Sequence, residues 1–308
     1  MIQTYFLGAN SRNGFYSLYR DFPPAPDAFL HILKSGPGTG KSGFLRHIGR
    51  EAEARGLDVQ YVLCSGDPDS LDGVYVPSVG QAWVDGTAPH VIEPEIFGAD
   101  SDYINLGAFF REPFSDAEKS RLKELHAAGK KRYQEAYRLL KDLSDSRPGG
   151  CASADNGAVQ SILRALPDKH RKGNLRKRFL SAVSCKGFLR LTDELARYQI
   201  VECPSSALEP GAEEARRLGW DTVLCPSPLE PDVQEALLIP EAEISFTAFQ
   251  ESIPEDGTLL NPALGELKAA KALHDEIEYI YHPHIHFQAL DAFIESVIER
   301  VFSHSPQV

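Results

Sequence analysis

A short glycine-rich segment near the start of the chain carries the residues best suited to phosphate chemistry. The segment reads Ser35-Gly36-Pro37-Gly38-Thr39-Gly40-Lys41-Ser42. Glycines allow several backbone N–H groups to approach phosphate oxygens, because no Cβ atom stands in the way. The lysine would contact the β- and γ-phosphates, and the serine hydroxyl would bind Mg²⁺. The sequence therefore predicts a phosphate-binding loop for a nucleoside triphosphate, with residues 36–42 in contact with the nucleotide.

The segments on either side of this loop are those that the motif requires. Residues 28–33 predict a short buried strand, and an apolar face over residues 44–52 predicts a helix that ends near Gly56. That helix would direct the positive end of its dipole at the bound phosphates. Ser35 departs from the strict pattern, which has glycine at this position. The core from Gly36 to Ser42 is nevertheless typical of many P-loop ATPases.

A phosphate-binding loop also needs a carboxylate that holds Mg²⁺ from a neighbouring strand. Residues 81–84 predict a strand that ends at Asp85, so we expect Asp85 and Ser42 to bind the metal and Lys41 and Asp85 to be catalytic. The alternative is that Asp85 only begins a turn. No acidic residue follows it, so the base that orients water is unassigned. The candidates for that role are Asp67, Asp69, Asp72 and His90.

The other elements of the N-terminal half alternate between strands and helices. Residues 59–64 predict a strand, and residues 66–73 predict an acidic, turn-rich loop. Ser115 and Glu118 have the spacing of a capping box at the start of a helix over residues 116–143. Strands joined by crossover helices predict a parallel sheet with flanking helices.

The second half of the chain repeats features of the first half in the same order. The matched segments are Phe6-Leu7 with Phe179-Leu180, Gly14-Phe15 with Gly187-Phe188, Leu63-Cys64 with Leu224-Cys225, and Val76-Pro77 with Ile239-Pro240. The offset falls from 173 residues to 161 and 163, as a deletion in the second copy would produce. Residues 202–210, which correspond to the deleted region, contain neither glycine nor lysine. We therefore expect a second copy that keeps the sheet and lacks the phosphate loop.

These observations together predict an α/β protein with a duplicated P-loop NTPase-type parallel sheet. The expected division is a nucleotide-binding half over residues 1–150, a linker over residues 151–173 and a degenerate half over residues 174–308. The linker prediction rests on the Ser-, Gly- and Asp-rich stretch at residues 144–156.

The charge of the chain argues against nucleic acid as a partner. The 308-residue chain has a net charge of −12, and residues 174–308 hold 11 basic and 22 acidic residues. Such a surface repels a phosphate backbone, so nucleic acid is not an expected partner. One basic cluster could be a solvated linker or an anion contact, and it consists of Lys169, His170, Arg171, Lys172, Arg176, Lys177 and Arg178.

The sequence also bears on the cellular compartment. The start of the chain has no basic segment followed by a long apolar stretch, and no run of residues reaches the ~20 apolar residues that span a bilayer. Five scattered cysteines fit a reducing environment. We therefore expect a cytoplasmic protein without a membrane segment.

Histidines near the C-terminal end are a second candidate site. They are His274, His282, His284 and His286. The alternating spacing of the last three could chelate a metal from an extended segment, and the alternative is a surface or packing role. The preceding helix is predicted from Asn261 onward, with its apolar stripe in a core.

Several segments together resemble a bacterial family of tandem P-loop ATPases. They are Phe15-Tyr16-Ser17-Leu18-Tyr19, the phosphate loop, Ser70-Leu71-Asp72-Gly73-Val74, Asp85-Gly86-Thr87-Ala88-Pro89-His90 and Lys271-Ala272-Leu273-His274-Asp275-Glu276. The resemblance implies two similar halves that each carry a phosphate loop, and nucleotide binding. This chain departs from the family in lacking the second loop.

Three functions are compatible with these features. The first is an Mg²⁺-dependent ATPase whose hydrolysis drives a conformational change in a protein partner; ATP is favoured because no Asn-Lys-x-Asp guanine signature occurs. The second is a small-molecule kinase with its acceptor near residues 67–72. The third is a nucleotide-responsive binding module with little turnover.

Overall fold

The computed structural model describes residues 1–25, 27–147, 157–249 and 258–303, and it has a mixed α/β fold. The strands are β1 (Ile2–Phe6), β2 (Gly8–Ser11), β3 (Gly14–Ser17), β4 (Phe29–Lys34), β5 (Val59–Leu63), β6 (Leu71–Val76), β7 (Gln81–Asp85), β8 (Ser101–Asn105), β9 (Leu175–Lys177), β10 (Ser181–Ser184), β11 (Gly187–Arg190), β12 (Gln199–Glu202), β13 (Thr222–Pro226), β14 (Gln234–Ile239) and β15 (Ile244–Thr247). The helices are α1 (Lys41–Ala54), α2 (Asp116–Ser146), α3 (Gly157–Ala165), α4 (Leu208–Arg217), α5 (Asn261–Tyr281) and α6 (Phe287–Phe302). Most of the predicted connection at residues 144–156 lies outside the described residues.

The chain forms two compact units, and neither is a continuous segment. Unit 1 comprises Met1–Thr4, Phe22–Gln134 and Glu266–Val308, whereas unit 2 comprises Tyr5–Asp21 and Glu135–Gly265. This division differs from the boundaries expected from the sequence, because the C-terminal helices belong with the phosphate-loop strand and not with the second half.

The core of unit 1 explains why the C-terminal helices belong to it. Phe44, Leu45 and Ile48 on α1 are fully buried, and they share one hydrophobic cluster with residues of α6. The contributing residues of α6 are Leu290, Ile294, Val297, Ile298, Val301 and Phe302. Each fully buried aliphatic or aromatic side chain stabilises a fold by about 1.5–3 kcal/mol, so α6 is an integral part of this unit.

The six-stranded sheet of unit 1 runs in the order β1-β5-β6-β7-β4-β8. Strand β4 pairs in parallel with β7 and β8, but β6 is antiparallel to both β5 and β7. The prediction of a parallel sheet is therefore met around β4 and is wrong for the two pairs that β6 makes. The connections on either side of β6 are too short for a helical crossover, which parallel pairs need. Residues 71–73, assigned to a loop from the sequence, begin the fully buried strand β6.

Unit 2 contains a five-stranded sheet with the order β12-β15-β14-β13-β9. Strand β12 is parallel to β15, β14 is antiparallel to both of its neighbours, and β13 is parallel to β9. Helices α3 and α4 pack on this sheet through Val159, Leu163, Leu208 and Ala212. The unit is therefore a second mixed sheet with helices on one hydrophobic face.

The strand order of this sheet matches five strands of the other. Read from the strand that leads into α1 in one sheet and into α4 in the other, the orders are β4-β7-β6-β5-β1 and β12-β15-β14-β13-β9. The pairing of β5 with β6 has a register shift after Val62, and the pairing of β13 with β14 has one after Cys225. These shifts align Cys225 with Val62, so the predicted equivalence of Cys64 with Cys225 is wrong by two positions. The shifted strands leave Asp72 and Glu235 as the extra residues at corresponding places.

Two hairpins in unit 2 also share their geometry. In the hairpin β2-β3, Ser11 Oγ donates to the Gly14 carbonyl at 2.7 Å, and in β10-β11, Ser184 Oγ donates to the Gly187 carbonyl at 3.0 Å. Both glycines have positive φ, 95° and 113°, which favours glycine at these turns. The two hairpins that contain the matched glycines, Gly14 and Gly187, thus have the same register and turn conformation.

Candidate nucleotide and metal site

The phosphate loop is a compact turn between β4 and α1. Gly38 and Gly40 have φ values of 64° and 91°, which only glycine adopts readily. Thr39 Oγ1 donates to the Gly36 carbonyl at 2.8 Å and lies 2.5 Å from Ser35 Oγ. The serine that departs from the strict motif therefore has a structural role, because its hydroxyl holds the loop together.

Lys41 folds back over the loop. Its Nζ atom donates to the Gly36 carbonyl at 2.7 Å and lies 3.6 Å from Asp85 Oδ2. The side chain is 12% exposed, so the lysine is largely covered and not an open surface charge. Its ammonium group is held between the loop and a carboxylate.

Asp85 lies at the end of β7, beside the phosphate loop. It pairs with Leu33 in the parallel register of β4 and β7, so both strands end at the same edge of the sheet. Asp85 Oδ1 accepts hydrogen bonds from the Thr87 amide at 2.9 Å and the Thr87 hydroxyl at 2.6 Å. Asp85 thus begins a turn and also faces Lys41. Its place in a turn is therefore compatible with the metal-binding role predicted from the sequence.

Two more polar side chains reach the same place. Asp72, Asp85 and His90 are all buried, and each offers a ligand atom within 4.8 Å of the others. His90 Nε2 lies 3.5 Å from Asp72 Oδ2. Ser42 Oγ accepts a hydrogen bond at 3.0 Å from the amide of Leu71, the residue before Asp72. The strand β6 therefore adds a carboxylate that the sequence offered only as one of four candidates.

The other two candidates for a base, Asp67 and Asp69, lie in the loop before β6. Asp67 lies 3.3 Å from Lys271 Nζ on α5. The Asp69 carbonyl accepts a hydrogen bond from Arg46 at 2.6 Å. Within the described ranges, neither belongs to a set of side chains close enough to share a metal ion. Asp72 and His90 are therefore the candidates that the fold brings to Asp85.

The electrostatics of this edge also affect a nearby thiol. Burial raises the pKa of Cys64 well above its usual range, and the negative charge of Asp72 raises it further. The thiol is therefore protonated at neutral pH.

The last turns of α5 lie against the phosphate loop. A Cβ atom on Gly36 would stand 2.6 Å from the ring of Tyr281, and one on Gly38 would stand 3.0 Å from Glu278 Cα. On the other side, a Cβ atom on Gly40 would stand 2.7 Å from Leu290 of α6. Glycine is thus required in this loop both by backbone conformation and by close packing.

The C-terminal histidines do not form a metal site. His284 Nδ1 lies 3.0 Å from the Glu112 carbonyl and Nε2 lies 3.1 Å from Glu118 Oε1, while the ring of His286 caps α6. Residues His282–His284 form a 3₁₀ turn, so the predicted extended segment is wrong. No metal-binding set found among the described residues includes these histidines. The packing interpretation of this patch is the one that the contacts support.

The predicted capping box at the start of α2 is confirmed. The Ser115 amide donates to Glu118 Oε2 at 2.7 Å, and the Glu118 amide donates to Ser115 Oγ at 3.3 Å. The bonds from Ser115 and His284 lower the pKa of Glu118 to about 2. Burial opposes the charge on His284, yet its bonds to Glu118 and to the Glu112 carbonyl raise its pKa overall.

The basic cluster at residues 169–178 makes its contacts within unit 2. Arg171 pairs with Asp221 at 3.1 Å, and Lys169 Nζ lies 3.7 Å from the ring centroid of Trp220. Arg178 is buried beneath Tyr5, with its guanidinium carbon 4.1 Å from the ring centroid. These three cations are used in packing and ion pairs of this unit.

The corresponding strand end of unit 2 has no phosphate loop. Strand β12 ends at Glu202, and a 3₁₀ turn leads into α4, which has no side-chain cap. Glu209 in the first turn of α4 accepts a hydrogen bond from Gln234 at 3.0 Å. Glu235, at the place that Asp72 takes in the other sheet, is fully buried and bonded to Ser181. Glu209 and Glu235 thus both have hydrogen-bond partners within the protein.

The sequence and the fold were also compared with known proteins. No family model, no curated protein and no solved structure matches this chain. In the part of the chain that the structure describes, no helix is both long and apolar enough to cross a membrane.

Proposed function

We propose that the chain binds one nucleoside triphosphate, ATP, together with Mg²⁺ and hydrolyses it. The observation that carries this proposal is the convergence of Lys41, Ser42, Asp72 and Asp85 at one edge of a sheet, directly after a glycine loop. A cation on the loop, a hydroxyl and carboxylates on neighbouring strands are the parts that phosphoryl transfer to water uses. Hydrolysis would be coupled to a conformational change or to a protein partner.

The residues present fit a divalent metal ion. Asp85 Oδ2 faces the loop at 3.6 Å from Lys41 Nζ, and Ser42 Oγ accepts only a backbone amide in the hydrogen bonds described for it. Hydroxyl and carboxylate oxygens are the ligands that Mg²⁺ prefers. Ser42 and Asp85 would hold the ion, with Asp72 beside them. A bound Mg²⁺ would neutralise phosphate charge at this place.

Asp72 and His90 are the residues that we propose for orienting water. They are buried, mutually in contact at 3.5 Å and grouped with the metal carboxylate Asp85. Gly86 follows Asp85, so the neighbouring position has no carboxylate for this role. The kinase alternative has less support, because Asp67 in its acceptor loop is paired with Lys271.

We further propose that the chain is a duplicated P-loop NTPase fold with one active copy. The shared strand order, the matching bulges and the two matching hairpins support a duplication. The second copy would bind no nucleotide, because its strand end carries Glu202 and Glu209 in place of glycines and lysine. This proposal agrees with the resemblance to tandem P-loop ATPases and with the departure from it.

Phosphate release from ATP alone tests the proposed reaction. We expect steady release with Mg²⁺, none with EDTA, and none from Lys41→Ala. The matched control is Lys123→Ala, which removes an exposed lysine from α2 and should leave release unchanged. Release only with an added acceptor would indicate a kinase, and tight binding without release would indicate a nucleotide-responsive module.

A further inference from the structure

The phosphate loop has an acidic neighbour within its own unit. Glu278, near the C-terminal end of α5, lies so close to Gly38 that a Cβ atom there would stand 3.0 Å from its Cα and 3.1 Å from its carbonyl oxygen. Gly36 is covered in the same way by Tyr281, one turn further along the helix. Two of the loop glycines that would face phosphate are therefore in contact with α5.

The side chain of Glu278 reaches the group that a phosphate would use. The Gly38 amide is close enough to the Glu278 carboxylate to help stabilise its charge, and His274 lies 3.5 Å from the same carboxylate. The bond from His274, together with the smaller contribution of the Gly38 amide, lowers the pKa of Glu278, so it is an anion at neutral pH. Backbone amides of such loops bind anions, and a carboxylate is the protein's own anion.

Neighbouring contacts hold this turn of α5 in place. Lys271, on the same helix, lies 3.3 Å from Asp67 in the loop before β6. Tyr281 packs edge-on against Phe114, with ring centroids 4.9 Å apart. Both contacts lie in unit 1 and involve side chains that are outside the proposed metal site. The position of Glu278 is thus fixed by packing and charge on either side of it.

We propose that Glu278 is an internal competitor of the nucleotide, with its carboxylate in the place of a phosphate on the Gly38 amide. This inference rests on the proposed function, and it adds a means of regulation to that site. ATP must displace the carboxylate, so binding of ATP releases the last turns of α5 from the loop. The free energy of displacement lowers the apparent affinity for nucleotide, as for any site that is open only part of the time.

Calorimetric titration with Mg-ATP tests this competition. Glu278→Gln keeps the side-chain shape and removes the charge, and we expect it to bind about tenfold more tightly than the natural chain, because a hydrogen bond to a charged group is lost. The matched control is Glu276→Gln, which removes the same charge from α5 but from a carboxylate that pairs with Arg121 at 2.7 Å. The control variant should bind as the natural chain does.

Hydrogen exchange on the natural chain provides a measurement that needs no variant. Amides of residues 274–281 should exchange faster when Mg-ATP is bound, and Lys41→Ala should abolish this change. Unchanged or slower exchange in that segment, or equal affinity of Glu278→Gln and the natural chain while Lys41→Ala prevents binding, would overturn the competition and leave the proposed function intact. If neither the natural chain nor Glu278→Gln binds nucleotide, both proposals are wrong.

Discussion

The ends of β4 and β12 occupy corresponding places in two sheets that share the order of five strands, but the chain continues differently after each. After β4 the chain makes a glycine loop with positive φ at Gly38 and Gly40, and Lys41 opens the helix. After β12 the chain passes through Cys203 and Pro204 into a 3₁₀ turn. The sheet is thus compatible with both connections, and the two copies differ in a short segment of fewer than ten residues after the strand.

The buried acidic residues at the two bulges also have different partners. Asp72 lies beside Asp85 and His90, whereas Glu235, at the corresponding bulge, is bonded to Ser181 inside the protein. A buried carboxylate must have a partner, because burial of an unpaired charge is costly. His90 lies 3.5 Å from the acid in one sheet, and Ser181 is bonded to the acid in the other.

The largest expected effect concerns Lys41. One nucleotide should saturate each chain, and Lys41→Ala should weaken binding by at least 10- to 100-fold, because it removes a charge-assisted contact to phosphate. Equilibrium titration of the natural chain and the variant measures both quantities. Two nucleotides per chain, with the second site unaffected by Lys41→Ala, would show that β12 also leads into a nucleotide site.

A smaller effect concerns the two carboxylates of the proposed metal site, Asp85 and Asp72. Asp85→Asn should bind nucleotide normally in EDTA and lose most of the affinity gained with Mg²⁺, and Asp72→Asn should lose part of it, about tenfold or less. Glu235→Gln is the matched control in unit 2 and should keep the full gain. Titrations with and without Mg²⁺ measure this difference. If Asp72→Asn loses the gain and Asp85→Asn does not, Asp72 is the principal metal ligand.

The smallest effect tests the likeness of the two hairpins. Gly14→Ala and Gly187→Ala each force a Cβ atom into a backbone with positive φ, and neither position has an atom closer than 4.0 Å to that Cβ. Each should therefore lower the free energy of unfolding by about 1 kcal/mol from backbone strain alone. Denaturant titration measures both values. A large effect at one hairpin and none at the other would contradict their equivalence.

The glycine loop between β4 and α1, the strand and helix that flank it, and the capping box were predictable because each depends on residues close together in sequence. The loop needs only a few glycines before Lys41, and the box needs only Ser115 and Glu118. Asp85 was also predictable, because the end of a short apolar strand is visible in the sequence. Local signals of this kind do not depend on the rest of the fold.

The remaining features depend on contacts between distant segments. Residues 71–73 have the composition of a turn, and only the pairing of β6 with two neighbours makes them a buried strand. Placement of α6 in unit 1 depends on packing against α1, about 240 residues earlier in the chain. Helix α5 packs through Ile277 against Leu122 and Leu125 of α2. The roles proposed for Asp72 and Glu278 depend on these long-range contacts. The sequence offered Asp72 only as one of four candidates for the base and did not single out Glu278.

The place of α6 in the core of unit 1 has a consequence for synthesis of the chain. Residues of unit 2 end at Gly265, whereas unit 1 lacks a wall of its core until Leu290 to Phe302 have been made. A ribosome adds about 5–20 residues per second, so unit 2 has its complete sequence several seconds before unit 1 does. We therefore expect the phosphate loop, although it is made early, to be the last part of the nascent chain to reach its final conformation.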